Sequence, residues 1–365
     1  MDQVVILGAG RIGRRIAELL QPRAAVVLVD HDTDKLDLAQ SAGLVVAPLP
    51  PGASRVALRQ VLAGAAAMIV VDPFLPAPDL AALCAEAGCH YLDLLESDDS
   101  AREVARAAAN APAGLRIAPG CGLAPGFVTA LLADEIARSP ASAEITAYVG
   151  VLPLKPANRL GYANIWGIQG LMQEYTRPVV TLREGALAQD APLSGLETVV
   201  LGGIELEAFA TAGSIDALAR RHAGDLRGLG FKTLRYPGHR DYMLFLLDDM
   251  GLRHQLHRLS SLLMTALPAT EADRVMIALR TVSAPGARPR WGIWHHLAAP
   301  GPDGQLRSAM ATLAAAHVVA MWDYLRTTPE AGPVLMAGDV PLACLQASPA
   351  FALLAPEPPI HSASA

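Results

Sequence analysis

The first third of the chain alternates between two patterns of apolar and polar positions. Short runs dense in β-branched residues, VVILGA, AAVVLVD, LVVAP, AAMIVVD, HYLDLL and LRIAP, predict strands, and the amphipathic stretches between them, RIGRRIAELL, DKLDLAQSAG, RVALRQVLAG, PDLAALCAEAG and SAREVARAAAN, predict helices. A repeated strand-helix unit needs right-handed crossovers, so this third reads as a Rossmann domain with a doubly wound parallel sheet. From about Ala143 the texture changes. AEITAYVGVLP, PVVTLREG, LETVVLGG, LEAFAT, FKTLRYPG, RVMIALRTVSA and RWGIWHHLA predict strands of a mostly antiparallel sheet. Helices are expected at NIWGIQGLMQEYT, at SIDALARRHA and as a pair over YMLFLLDDMG and LRHQLHRLSSLLMTAL. The fold class is therefore α/β, with the N-terminal Rossmann sheet followed by a second α+β domain. The expected boundaries are 1–124 for the first domain and 125–304 for the second. The helix within 305–327 is expected to return to the first domain, with 328–365 as a C-terminal extension.

Composition narrows the setting. A chain of 365 residues, 52% hydrophobic, suffices for two or three domains. With 35 acids against 29 bases and a net charge of -6, it lacks the basic footprint of a nucleic-acid or membrane-surface partner. The apolar run VLAGAAAMIVV stops at Asp72, too short for a membrane span. The N-terminus passes from Met-Asp-Gln straight into a strand, so no secretory leader is expected. Cys84, Cys89, Cys121 and Cys344 lack metal-type spacing, which fits reduced thiols and a cytoplasmic location. Cys121, between two glycines, reads as a packed thiol, and His295-His296 has no third ligand nearby, so no metal is expected.

The first strand-helix junction carries the clearest chemistry. Gly8-Ala9-Gly10-Arg11-Ile12-Gly13 follows a strand and opens a helix, and Asp30 ends the next strand. Gly8 permits the tight turn, Gly10 lets the backbone approach a pyrophosphate, and Gly13 lets helix and strand pack closely, with the phosphates at the helix N-terminus. Asp30 would accept the ribose hydroxyls and repel a 2′-phosphate, and His31 rather than an arginine follows it, so the expected cofactor is NAD. Asp72-Pro73 ends the fourth strand at the ligand-binding edge of the sheet and is expected to border the nicotinamide, or only to cap a turn. Asp93, at the same edge, is read either as an amine ligand or as a turn cap.

A second cluster stands far from that loop. GFKTLRYPGH places Lys232, Arg235 and His239 close together at the end of a strand, where edge strands also carry solvated charge. Together with Gly120-Cys121-Gly122-Leu123-Ala124-Pro125-Gly126, Asn164-Ile165-Trp166, Gln173-Glu174-Tyr175 and Leu206-Glu207-Ala208-Phe209, this motif resembles the saccharopine dehydrogenase-like family, most of all its L-lysine 6-dehydrogenase branch. The likeness runs from residue 1 to about Arg326. It implies NAD-linked oxidation at a carbon bearing nitrogen. It also implies that Thr233, Leu234 and Arg235 contact substrate, Arg235 by taking an α-carboxylate in a bidentate pair. Lys232, three residues away, falls on the opposite face of the strand.

Departures from the family pattern bear on the substrate. Ala124 stands where saccharopine readers carry a substrate-contacting aspartate, and Ala210-Thr211-Ala212-Gly213 lacks their arginine. Gln169 and Thr312 stand where the lysine branch is expected to have Glu and Arg. The expected activity is oxidative deamination of L-lysine at its side-chain amine, with His239 and Asp93 as candidates for proton handling. Two alternatives stay open: an opine dehydrogenase of the saccharopine type, and a dinucleotide-binding protein without turnover that serves as a sensor or assembly partner. The expected partners are a small amino acid or amine and a second copy of the chain in a homodimer.

Overall fold

The computed structural model describes residues 1–50, 52–72, 75–95, 98–107, 112–213, 215–328, 332–352 and 363–364. Two compact units emerge, one of residues 1–131 and 311–354, the other built on 132–310.

The first unit carries strands β1 (Gln3–Leu7), β2 (Ala25–Asp30), β3 (Val46–Pro48), β4 (Ala65–Val70), β5 (His90–Asp93) and β6 (Ile117–Ala118). All pair in parallel, in the order β3-β2-β1-β4-β5-β6. Helices α1 (Arg11–Leu20), α2 (Thr33–Ser41), α3 (Arg55–Val61), α4 (Ala77–Ala87) and α5 (Asp98–Ala107) make the crossovers. Because β1 and β4 are buried on both faces, their sequences are continuous apolar runs rather than alternating ones. The chain reverses its winding between β1 and β4, the switch point at which such sheets bind ligands.

Helix α6 (Phe127–Arg138) leads into the second unit. Its elements are β7 (Glu144–Pro153), α7 (Ile168–Thr176), β8 (Val179–Arg183), β9 (Ala186–Asp190), β10 (Glu197–Leu201), β11 (Ile204–Ala210), α8 (Asp216–Arg221), β12 (Gly228–Arg235), α9 (His239–Leu244), α10 (Leu256–Ala266), β13 (Asp273–Val282) and β14 (Arg290–Leu297). The sheet runs β14-β13-β7-β12-β11-β10, with β8 joining β12 and β9. Among the described strands of this sheet only β7 and β12 pair in parallel. Leu234 packs with Tyr148 and Leu206 on one face of this sheet. On the other, Phe209 joins Tyr175 of α7 and Leu259 of α10. Between α9 and α10 the first expected helix ends in a π turn at Phe245–Asp249, closed by Gly251 at φ +68°, a left-handed conformation that favours glycine.

Helix α11 (Ala309–Thr327) begins at Ser308, where Asp273 accepts hydrogen bonds from the Ser308 hydroxyl and from the N–H groups of Ala309 and Met310. Among the described residues no helix is long and apolar enough to cross a membrane, and no group of three acidic, His or Cys side chains could hold a metal ion.

Candidate functional site

The loop after β1 is shaped by its glycines. Gly8 has φ +110°, and a Cβ there would lie 3.0 Å from the Asp72 nitrogen and 3.3 Å from Val71 Cβ. The turn carrying Asp72 thus lies against the loop, and its N–H donates to the Leu7 carbonyl at 3.1 Å. A Cβ on Gly13 would stand 1.8 Å from the Gly8 carbonyl oxygen, so helix and strand meet only because that atom is missing. Above Gly10 nothing lies within 4 Å. Arg14 donates to the Gly10 carbonyl at 3.0 Å, so the N–H groups of Ile12 and Gly13 come before the hydrogen-bond ladder of the helix begins. Open space over Gly10 at the N-terminus of α1 fits a pyrophosphate. Asp30 is fully buried and stitches the loop to β2, accepting from Ala9 N–H at 2.7 Å and Asp32 N–H at 3.0 Å. Beside it stand His31 Nδ1 at 3.4 Å and Lys35 Nζ at 3.9 Å. Pro73 lies outside the described residues.

Asp93 is placed at the end of β5, but it is buried and already accepts three bonds: from the Tyr91 hydroxyl at 2.8 Å, Gly120 N–H at 2.8 Å and Leu95 N–H at 3.0 Å. Burial raises its pKa to about 6 in spite of those donors. In this arrangement it anchors the GCGLAPG loop rather than offering an oxygen to an amine. His317 of α11 donates from Nδ1 to the Cys121 carbonyl at 2.9 Å and stays neutral, because burial lowers its pKa to about 4. Cys121 is a buried thiol that donates to the Ala118 carbonyl, and burial pushes its pKa up. The loop closes on itself where a Cβ on Gly126 would stand 1.9 Å from the Gly122 oxygen, and Ala124 sits partly buried at its tip.

In the second unit β12 delivers Arg235, 2% exposed, to the helix-covered face of the sheet. Its Nε donates to the Tyr175 hydroxyl at 3.0 Å and Nη1 to the Leu234 carbonyl at 2.9 Å, while Cζ lies 5.2 Å from the centre of the Tyr162 ring. His239, the first residue of α9, is also fully buried, and burial together with the Arg235 charge lowers its pKa to about 3. A neutral ring whose Nδ1 faces the Leu160 carbonyl at 2.8 Å must donate there, so Nε2 accepts from the Tyr175 hydroxyl at 2.9 Å. The polarity of the chain is thereby fixed: Arg235 donates to Tyr175, Tyr175 to His239, and His239 to Leu160. With both ring nitrogens engaged, His239 orients Tyr175 in this structure and has no lone pair free for a substrate proton.

The other predicted residues separate by face. Thr233 shares the Arg235 face and its hydroxyl meets that of Thr211 at 2.8 Å. The Leu234 side chain points into the core of the opposite face, so only its carbonyl joins the cluster. Lys232 is spent on Glu197 at 2.7 Å and on the Gly195 carbonyl. Gln169 is exposed on α7, and the Thr312 hydroxyl accepts from Arg15 Nε at 3.3 Å. Tyr162, Glu174 and Tyr175 were not singled out from sequence as site residues. Tyr175 continues the apolar stripe Ile168, Leu171, Met172 along α7 and so reads as core.

Comparison with known proteins extends this picture. Residues 4–115 match the family model of the saccharopine dehydrogenase NADP binding domain, and residues 122–327 that of the saccharopine dehydrogenase C-terminal domain. Among solved structures the chain is similar to apo saccharopine dehydrogenase (L-Glu forming) from Saccharomyces cerevisiae, with 15% identity, a TM-score of 0.73 and coverage of 95% of this chain and 96% of that one. It is also similar to the homospermidine synthase of Legionella pneumophila in complex with NAD, with 12% identity, a TM-score of 0.68 and coverage of 94% and 88%. At these identities the likeness is one of fold. The match to the C-terminal domain alone runs over more than half of the residues, and the chain therefore belongs to the saccharopine dehydrogenase family of nicotinamide-dependent oxidoreductases.

Proposed function

We propose that this chain oxidises an amino acid at its side-chain amine with NAD, and that L-lysine is the first substrate to test. Arg235 carries the reading. Among the described residues of the second unit it is the one arginine or lysine that is buried, and it forms no ion pair there. A buried cation held in no ion pair is costly, and a ligand carboxylate relieves that cost. Tyr175 and Leu234 fix the guanidinium plane and leave Nη2 for the ligand. One such cation suits a mono-carboxylate, whereas the further carboxylates of saccharopine would lack the partners that Ala124 and the 210–213 segment do not supply.

When bound, NAD supplies the hydride acceptor, and this chain's residues hold and orient. The overall change is balanced as lysine, NAD and water giving NADH, ammonium, a proton and the semialdehyde, which closes on its own α-amine to a cyclic imine. The reacting amine must first lose a proton. Lysine's amine has a pKa of about 10.4 in water, so turnover should rise towards alkaline pH. His239 and Asp93, both bonded inside the protein, take orienting roles in this reading, and water accepts the proton. The carboxylate of Asp30 beside the loop, with no arginine next to it, favours NAD over NADP.

The experiment is a screen of NAD and NADP reduction over amino acids, polyamines and saccharopine, with ammonia measured in parallel. NADH formation and ammonia release with L-lysine are the expected result. Glutamate release from saccharopine with no signal from lysine would overturn the substrate, a preference for NADP would overturn the Asp30 reading, and silence from every amine would leave dinucleotide binding without turnover.

A further inference from the structure

Two opposite charges stand near one another in the second unit without pairing. Arg235 is one. The other is Glu174 on α7, the residue before Tyr175, whose carboxylate takes part in no hydrogen bond or ion pair among the described residues. Its backbone is fixed, since its carbonyl accepts from Ala212 N–H at 3.1 Å. Arg177, three residues on, does not pair with it either and keeps a buried Nε without an acceptor. Burial raises the pKa of Glu174 to about 7, although Arg235 and Arg177 both pull it down. An arginine and a glutamate within reach of one another form a bidentate pair. Here Arg235 is bonded instead to the hydroxyl of Tyr175, the residue next to Glu174, and to the Leu234 carbonyl, and Tyr175 is itself fixed by His239. Each charge is left to a ligand, and the ligand that satisfies both carries an anion and a cation on neighbouring atoms.

We propose that Glu174 receives the α-ammonium and Arg235 the α-carboxylate of the substrate, so that together they form the receptor for the zwitterionic head of an α-amino acid. This rests on the reading of Arg235 as the carboxylate site and adds the requirement for a free α-amine. The receptor excludes ligands that present only one of the two charges, simple carboxylates and diamines among them. It leaves the far end of the side chain as the reacting end.

The test separates the head from the chemistry. L-norleucine carries the head on an apolar tail with no reacting amine, and hexanoate carries the carboxylate alone. Affinities of both for the full chain with saturating NADH, measured by calorimetry, are compared between wild type and Glu174→Gln. Wild type at pH 8 is expected to bind L-norleucine at least about tenfold more tightly than hexanoate, the scale of a hydrogen bond between charged groups. Glu174→Gln should erase that advantage and leave hexanoate unchanged or tighter. Norleucine affinity in wild type should rise as pH passes through about 7, where the carboxyl ionises, and the rise should vanish in the variant. The cations facing Glu174 are Arg235 and Arg177; its neighbour Tyr175 is pushed up and His239, bonded to Tyr175, is pushed down, both away from neutrality. Equal weakening of both ligands in the variant, unchanged norleucine binding in the variant, or failure of wild type to prefer norleucine each overturns the receptor. If norleucine behaves as expected while lysine is not oxidised, the reaction is wrong and the receptor stands.

Discussion

In the proposed reading a single guanidinium decides most of what the second unit binds. Arg235 is held at two nitrogens, flanked by two tyrosine rings and kept charged, so it is oriented before any ligand arrives. Arg235→Ala should therefore lower kcat/KM for the true substrate by about 2–3 kcal/mol, roughly 30- to 150-fold, while NAD affinity stays within twofold of wild type. Arg235→Lys should recover little of the loss, because an ammonium has neither the fork geometry nor the planar contact with Tyr162. Thermal stability should hold or rise in the alanine variant, since the removed charge is buried and unpaired. Wild-type kinetics from Arg235→Ala would remove the carboxylate reading altogether.

At the scale of elements, sequence and structure agree where chemistry is local. The β1–α1 junction was legible because the constraints on Gly8, Gly10 and Gly13 all arise within a dozen residues, and so was Asp30 as the end of the next strand. The places of Arg235 at the end of β12 and His239 after the turn were legible through their motif, but their partners were not. Glu174 and Tyr175 gain their meaning only when α7 packs over β12, and a helix-face pattern counts Tyr175 as one more apolar position. Asp93 was legible in place but not in role, because its three donors come from Tyr91, Leu95 and Gly120. The junction also separates two kinds of glycine. Gly10→Ala meets nothing within 4 Å at φ -67°, so the variant should melt as wild type does yet bind NAD at least about tenfold more weakly, the added methyl occupying the approach to the pyrophosphate. Gly13→Ala pushes a methyl into the Gly8 carbonyl and should lose about 1–3 kcal/mol of stability as well as binding. Thermal melts with and without NAD read both quantities, and a Gly10→Ala protein with unimpaired NAD binding would contradict the assignment of that open space.

Over the whole molecule the first unit is discontinuous in sequence, for residues 311–354 belong with residues 1–131. Helix α11 is apolar on nearly all sides, which a hydropathy pattern reads as a helix buried all round. Within the first unit Trp322 meets the His90 ring edge-on at 5.7 Å, Asp323 pairs with Arg23 at 2.6 Å, and Arg326 pairs with Asp2 at 3.4 Å. Beyond the helix, Ile117 of β6 donates to the Pro333 carbonyl and accepts from Leu335 N–H, so the last strand of the parallel sheet is completed by chain more than 200 residues later. The dinucleotide loop thus sits in a unit whose core closes only when the C-terminal segment arrives. Val318, Val319, Met321, Trp322 and Leu325 are all buried. At about 1.5–3 kcal/mol for each large apolar side chain, their loss is comparable with the entire stability of an ordinary domain, about 5–15 kcal/mol. A chain ended after Ser308 should therefore lose NAD binding although Gly8, Gly10, Gly13 and Asp30 are all retained, and far-UV circular dichroism should show that parallel-sheet structure is lost with it. A truncated chain that binds NAD within twofold of the full-length affinity would mean that residues 1–131 hold the loop without help from the segment that returns to them.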